Sequence, residues 1–246
     1  MLKEAIEKIK EMSNESIRVV VDGQTFVKSG GEFVQLRKEL DIPYSISLSS
    51  LDAIVKMVKT EGVRRAAGKS PIYIEAKSAD SVTVFVQPDP DNRNIRLEFY
   101  SANAIDIPGW NDEVTMPFDK AAVALQTRFQ DGGDREYTMQ LLSQITTGAH
   151  VTYNDTGIAT TIVSSKGVSL QQNATIKPIV TLRPYRTFQE IEQPAGRFLI
   201  RINERGITFT EADGGMWKLT ARKSIVEYFS AAFKDEIEAG EVVVML

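Results

Sequence analysis

The chain predicts an α+β fold, mainly antiparallel sheets with several amphipathic helices. Short β-branched runs alternate in hydrophobicity and are bounded by turn residues, as half-buried antiparallel strands require. Between them lie apolar stripes at helical spacing. The order is helix then strands around 49–101, helix then strands again around 117–165, and strands then a helix at the end, a segregation typical of α+β chains. This loose recurrence raises pseudo-repeated helix-plus-meander subdomains, as in ring-shaped clamp proteins, although no residue pattern repeats.

The elements follow in order. Leu2, Ala5, Ile6 and Ile9 share one helical face, so residues 2–12 read as a short amphipathic helix. Ile17-Arg-Val-Val-Val21 and Gln24-Thr-Phe-Val27 flank Asp22-Gly23, a strong hairpin signal, and a further strand is expected near 32–36. Pro43 closes this region. Ser49 with Asp52 three residues on resembles a capping box. It opens a helix carrying Leu51, Ile54, Val55 and Val58, with Gly62 as its stop. Strands are expected at 72–76, 82–87 and 95–100, then a helix over 117–129 behind Thr115 and Pro117.

Residues 135–146 fit either period: Tyr137, Leu141, Leu142 and Ile145 make a helical stripe, while Tyr137, Met139 and Leu141 alternate. The strand formers in Tyr-Thr-Met-Gln-Leu-Leu favour a strand. A hairpin should span 149–164, turning at Asn154-Asp-Thr-Gly157. Strands are expected at 176–183 and 197–212, a long helix at 216–238, and an edge strand at 241–246. The expected organisation is an N-terminal helix-and-hairpin region, 1–45, and a main α+β domain, 46–246, with a subdivision near 110–116.

Composition narrows the chemistry. The 246 residues are 42% hydrophobic and 25% charged, which is ordinary globular usage and too apolar for a disordered chain. Lysine and arginine number 29 against 33 acidic residues, giving a net charge of −4, and the pI is near 5.3. That balance disfavours a protein whose main task is coating duplex DNA. Without cysteine there are no disulfides, thiolate nucleophiles or thiolate metal sites. A Ser-His-Asp hydrolase would have to use the single histidine, His150. The charged N-terminus lacks a signal peptide's apolar core and no stretch reaches bilayer length, so the expected compartment is the cytoplasm, with no membrane partner.

Motifs are few. There is no Walker loop, G-x-G-x-x-G, H-E-x-x-H or EF-hand. Asp89, Asp91 and Asn92 could ligate a hard cation, but a solvated turn explains them as well, and neither a metal nor a cofactor is expected. Arg64, Arg65 and Lys69 sit in a loop with Gly68 and Ser70 that could clasp a phosphate or simply stay solvated. The densest segment is 181–201. There Arg183, Arg186, Arg197 and Arg201 interleave with Tyr185, Phe188, Phe198, Glu190 and Glu192. Arginines beside aromatics suit bases and phosphates; glutamates in the same stretch suit an ion-paired protein seam, which the acidic balance favours. Trp217 follows Asp213-Gly214-Gly215 as a large anchor, for a partner or for the helix that begins there.

Arg183-Pro-Tyr-Arg-Thr-Phe-Gln-Glu-Ile-Glu-Gln-Pro194, Arg197-Phe-Leu-Ile-Arg201 and Glu211-Ala-Asp-Gly-Gly-Met-Trp-Lys218 resemble the C-terminal half of an uncharacterised bacteriophage and prophage family that includes the YfdQ-like proteins. Ser47-Leu-Ser-Ser-Leu-Asp-Ala-Ile-Val55 is similar to the start of that family's N-terminal helix. The resemblance implies an early-region phage gene product and carries over no catalytic residue. The expectation is a non-enzymatic accessory protein that self-assembles and binds a host or phage protein or a small anionic ligand through Arg183, Arg186, Glu190, Arg197, Arg201 and Trp217, or through the basic loop. The alternatives are a single-stranded nucleic-acid binder of phage recombination and a Mg²⁺-dependent phosphohydrolase.

Overall fold

The computed structural model describes residues 3–5, 18–21, 24–29, 32–35, 45–62, 70–87, 96–109, 113–147, 150–155, 160–166, 170–175, 177–203 and 205–246. The chain divides into two compact units, 1–42 and 43–246. In the first, residues 3–5 are helical; the rest of the expected 2–12 helix lies outside the described residues. β1 (Arg18–Val21), β2 (Gln24–Ser29) and β3 (Glu32–Gln35) form an antiparallel meander, with Val21 paired to Gln24 across the Asp-Gly turn position.

Among the described residues the second unit has two hydrophobic cores. The first lies under a five-stranded mixed sheet. β5 (Ile72–Glu75), β6 (Ser81–Val86) and β7 (Glu98–Asn103) form an antiparallel meander at its centre. At the edges β14 (Val242–Met245) pairs parallel with β5, and β4 (Ile46–Leu48) pairs parallel with β7. The Val82/Val84/Val86 alternation faces this core. It meets Leu51, Ile54 and Val58 of α1 (Leu51–Met57, continuing as a π turn through Val58–Gly62), and Ile225, Phe229 and Phe233 from α4 (Met216–Ala232) and its end.

The second core lies under β11 (Ile179–Leu182), β12 (Gly196–Asn203) and β13 (Gly206–Glu211), an antiparallel meander covered by α2 (Phe118–Thr127) and α3 (Arg135–Thr147). In β12 Phe198, Ile200 and Ile202 are buried while Arg197 and Arg201 are exposed, the period-two burial of a strand with one covered face. Gly206 turns this hairpin at φ 139°, and a β-carbon there would fall 1.8 Å from the Met116 carbonyl oxygen. That carbonyl accepts the Ile207 N–H at 2.9 Å, so the close approach extends the sheet by one bridge. Between α3 and β11 the chain forms a third meander, β8 (His150–Asp155), β9 (Thr160–Lys166) and β10 (Leu170–Thr175). Among the described residues the second unit thus holds three antiparallel meanders, of which only β5–β7 gains parallel edges.

Three expectations are corrected. Residues 135–147 are helix α3, not a strand. Leu141, Leu142 and Ile145 are buried together against β11–β13, so tertiary burial of the 3.6-residue stripe outweighs the strand propensity of Tyr-Thr-Met. The α1 cap is Ser50, not Ser49: Ser50 Oγ accepts the Ala53 N–H at 3.1 Å, while Asp52 receives the Tyr228 hydroxyl. The 216–238 helix is two, α4 and α5 (Lys234–Glu238), broken at Phe233, whose ring is fully buried and whose backbone leaves helical geometry (φ −113°, ψ 28°).

Candidate functional site

The segment 183–194 is a strap between the two cores. At one end Arg183 and Pro184 run beside the end of α2: the Gln130 N–H donates to the Arg183 carbonyl at 2.8 Å and the Tyr185 N–H to the Arg128 carbonyl at 2.9 Å. At the other, Phe188 and Ile191 are buried in the first core, and the Thr187 hydroxyl donates to the Ala79 carbonyl. Gln193, buried to 2% exposure, ties the strap to itself. Its carbonyl oxygen accepts the Arg186 and Thr187 N–H groups at 3.0 and 3.3 Å. Its amide donates to the carbonyls of Phe188 and Ile191. A buried amide with both ends satisfied fixes the loop's conformation.

This holds the Arg186 side chain, 13% exposed, in one position. One nitrogen donates to Glu211 Oε1 at 2.6 Å; the other lies 3.9 Å from Asp213 Oδ2 and 3.4 Å from the Pro194 carbonyl. The guanidinium lies 4.0 Å from the Trp217 ring centroid. Gly196 leaves it room: a β-carbon there would sit 2.6 Å from Arg186 Nη2. Burial draws the Arg186 pKa below its ordinary value, opposed by the hydrogen bond and charge of Glu211 and the charge of Asp213. The arginine stays a cation, with its charge answered inside the protein.

Above this floor lies a cleft of about 310 Å³ whose walls include Ile107, Pro108, Tyr185, Phe198, Glu211 and Trp217. Each wall has a local cause. The β12–β13 register sets Phe198 opposite Glu211. Gly214 and Gly215, at φ 63° and 77°, turn the chain so that Trp217 enters in the first turn of α4. Arg128 donates to the Gly109 carbonyl at 2.7 Å, holding the wall that Ile107 and Pro108 line. The result is concave and aromatic, with one carboxylate, that of Glu211, in its lining, the general character of a ligand pocket.

The structure brings Arg186 and Trp217 together at this cleft and disperses the other predicted residues. Arg183 pairs with Glu192. Glu190 caps α1 from a distance: its Oε1 accepts the Leu51 N–H at 2.7 Å and the Asp52 N–H at 3.5 Å, beside a second cleft of about 390 Å³ that Ser49 and Asp106 also line. Arg197 and Arg201 are exposed on the sheet face opposite Phe198, so the four arginines do not share one groove. Arg64, Arg65 and Lys69, and the Asp89, Asp91 and Asn92 loop, lie outside the described residues. His150 begins β8. Among the described residues no three acidic or histidine side chains gather to hold a metal, and no helix is long and apolar enough to cross a membrane.

Sequence reasoning missed Glu211 and Gly196 as partners of Arg186. Glu211 is 25 residues away, and only the hairpin register, with Phe198 opposite Glu211, could have pointed to it. No family model, curated protein or solved structure matches the chain.

Proposed function

We propose that this chain is a non-enzymatic accessory protein, phage-encoded as its 183–218 segments suggest, that works in the cytoplasm as a homo-oligomer and binds its partner or ligand in the Arg186–Trp217 cleft. The observation that supports this is the cleft's floor. Glu211 and Asp213 both face the Arg186 guanidinium, so the acidic groups nearest the cleft serve to hold its shape. The aromatic walls then provide a fixed surface that loses little entropy on binding.

The test is native mass spectrometry of the full chain after exposure to a bacterial extract. Wild type should carry an added mass that Trp217→Leu has lost, while both stay folded. The same adduct on both proteins, or no adduct on either, would overturn the assignment of the cleft.

A second reading has its own observation. Arg197 and Arg201 are exposed four residues apart on one face of β12, with Thr208 opposite Arg201, and such a face could track a single-stranded backbone. It predicts oligo-dT binding that falls steeply with salt and is weakened by Arg197→Ala and Arg201→Ala. Absence of binding at low salt removes it.

A further inference from the structure

We propose that the Arg186–Trp217 cleft receives a mononucleotide, with an amino-bearing base against the aromatic walls and the phosphate at the rim beside Lys218 and Arg128. This rests on the reading of the cleft as a binding site and names the ligand class.

The charge distribution divides the cleft into zones. On the floor, Arg186 faces two carboxylates, Glu211 at 2.6 Å and Asp213 at 3.9 Å. A phosphate placed there would meet an excess of negative charge, so the floor repels it. Two cations do not line the cleft themselves but touch residues that do, Trp217 and Gly109. Lys218 Nζ lies 5.8 Å from the Trp217 ring centroid, and Arg128 is hydrogen-bonded to the Gly109 carbonyl in the neighbouring wall. Both side chains belong to exposed residues, and among the described residues neither forms an ion pair. A ligand that suits both zones is uncharged at its inner end and anionic at its outer end.

The walls specify the inner end. Trp217, Tyr185, Pro108 and Pro184 line the cleft with rings, and a base can stack on an aromatic side chain. The Glu211 carboxylate lines the cleft and can only accept hydrogen bonds. It therefore favours a ring edge carrying amino hydrogens, as in guanine, adenine or cytosine, over the carbonyl edges of uracil. A volume of about 310 Å³ is at the small end for a ligand site and fits one nucleoside better than a longer chain.

The experiment is isothermal titration calorimetry of the full chain with GMP, AMP, CMP, UMP, guanosine and a short oligonucleotide. The amino-bearing monophosphates should bind at least tenfold tighter than UMP, and GMP about tenfold tighter than guanosine. Lys218→Ala should erase most of the GMP-over-guanosine advantage. Trp217→Leu should weaken every nucleotide about tenfold or more, with Trp217→Phe restoring most of the loss. No binding at millimolar nucleotide, equal affinity in wild type and Trp217→Leu, or an oligonucleotide binding far tighter than any monophosphate would each overturn the proposal. If the extract-derived adduct still depends on Trp217 while nucleotides fail, the nucleotide class falls and the cleft stands as a binding site. If the adduct fails too, both readings fall.

Discussion

Gly196 is the residue on which the cleft floor turns. Its backbone has no unusual conformation, so replacement is a question of space alone: a β-carbon would meet Arg186 Nη2 at 2.6 Å, Phe198 Cε2 at 3.2 Å and Asp213 Oδ2 at 3.3 Å. The guanidinium is pinned by Glu211 and Trp217 and cannot slide away freely. Gly196→Ala should cost about 1–2 kcal/mol, within the usual range for overpacking, and tilt Arg186 off the indole. Urea unfolding reads the first effect and near-ultraviolet circular dichroism the second; an unchanged aromatic spectrum would contradict the stacked geometry. Arg186 and Trp217 were legible as candidates because their segments are dense in arginine and aromatic side chains. Their function as floor and wall was not, because it depends on a glycine and a glutamate brought in by hairpin register.

At the scale of elements, one carboxylate caps a helix and another ties the start of a helix to a strand. Glu190 supplies α1 with an acceptor for two N–H groups that Ser50 leaves free. Glu190→Ala should destabilise the protein by about 1 kcal/mol, the worth of a typical cap, measured as a shifted urea midpoint with unchanged slope. Asp134 precedes α3 and accepts from Lys177 Nζ at 2.6 Å and the Thr181 N–H at 2.7 Å. Burial works to raise its pKa, but the Lys177 and Thr181 contacts outweigh it and hold the carboxyl below the ordinary aspartate value. The stability it lends is therefore complete above the unfolded value of about 3.9 and is lost as pH falls through the lower folded value. Asp134→Asn should flatten the stability–pH curve on its acid side, below about pH 4. A curve of unchanged steepness would contradict this.

Many elements were readable from period and punctuation: β1–β3, β5, β6 and the closing β14 fall where alternation and turn residues put them. β7 runs three residues later than the expected 95–100, and the turn that splits 197–212 into β12 and β13 was not marked. Two others were not readable. The three-residue β4 is too short to show a period, and its parallel pairing with β7 comes from the fold. In α3 two periods compete over the same residues, and the core it covers decides between them.

At the scale of the molecule, the strap is what makes the second unit's two cores one structure. Phe188 is 1% exposed within the first core, while Arg183 and Pro184 are hydrogen-bonded and bridged to the end of α2 beside the second. Phe188→Ala should cost about 3–5 kcal/mol. Because the strap also carries Arg186, the same change should weaken cleft binding at a distance. Two separate unfolding transitions in wild type would contradict a strap that couples the cores.

The most direct test of the cleft as the binding site is hydrogen exchange on protein carrying its extract-derived adduct, compared with the same protein after the adduct is removed. The account predicts faster exchange after removal at 107–109, 185–187 and 216–219, with β11 and β12 unchanged. Protection lost instead around Arg197 and Arg201, with the cleft segments unaltered, would contradict it.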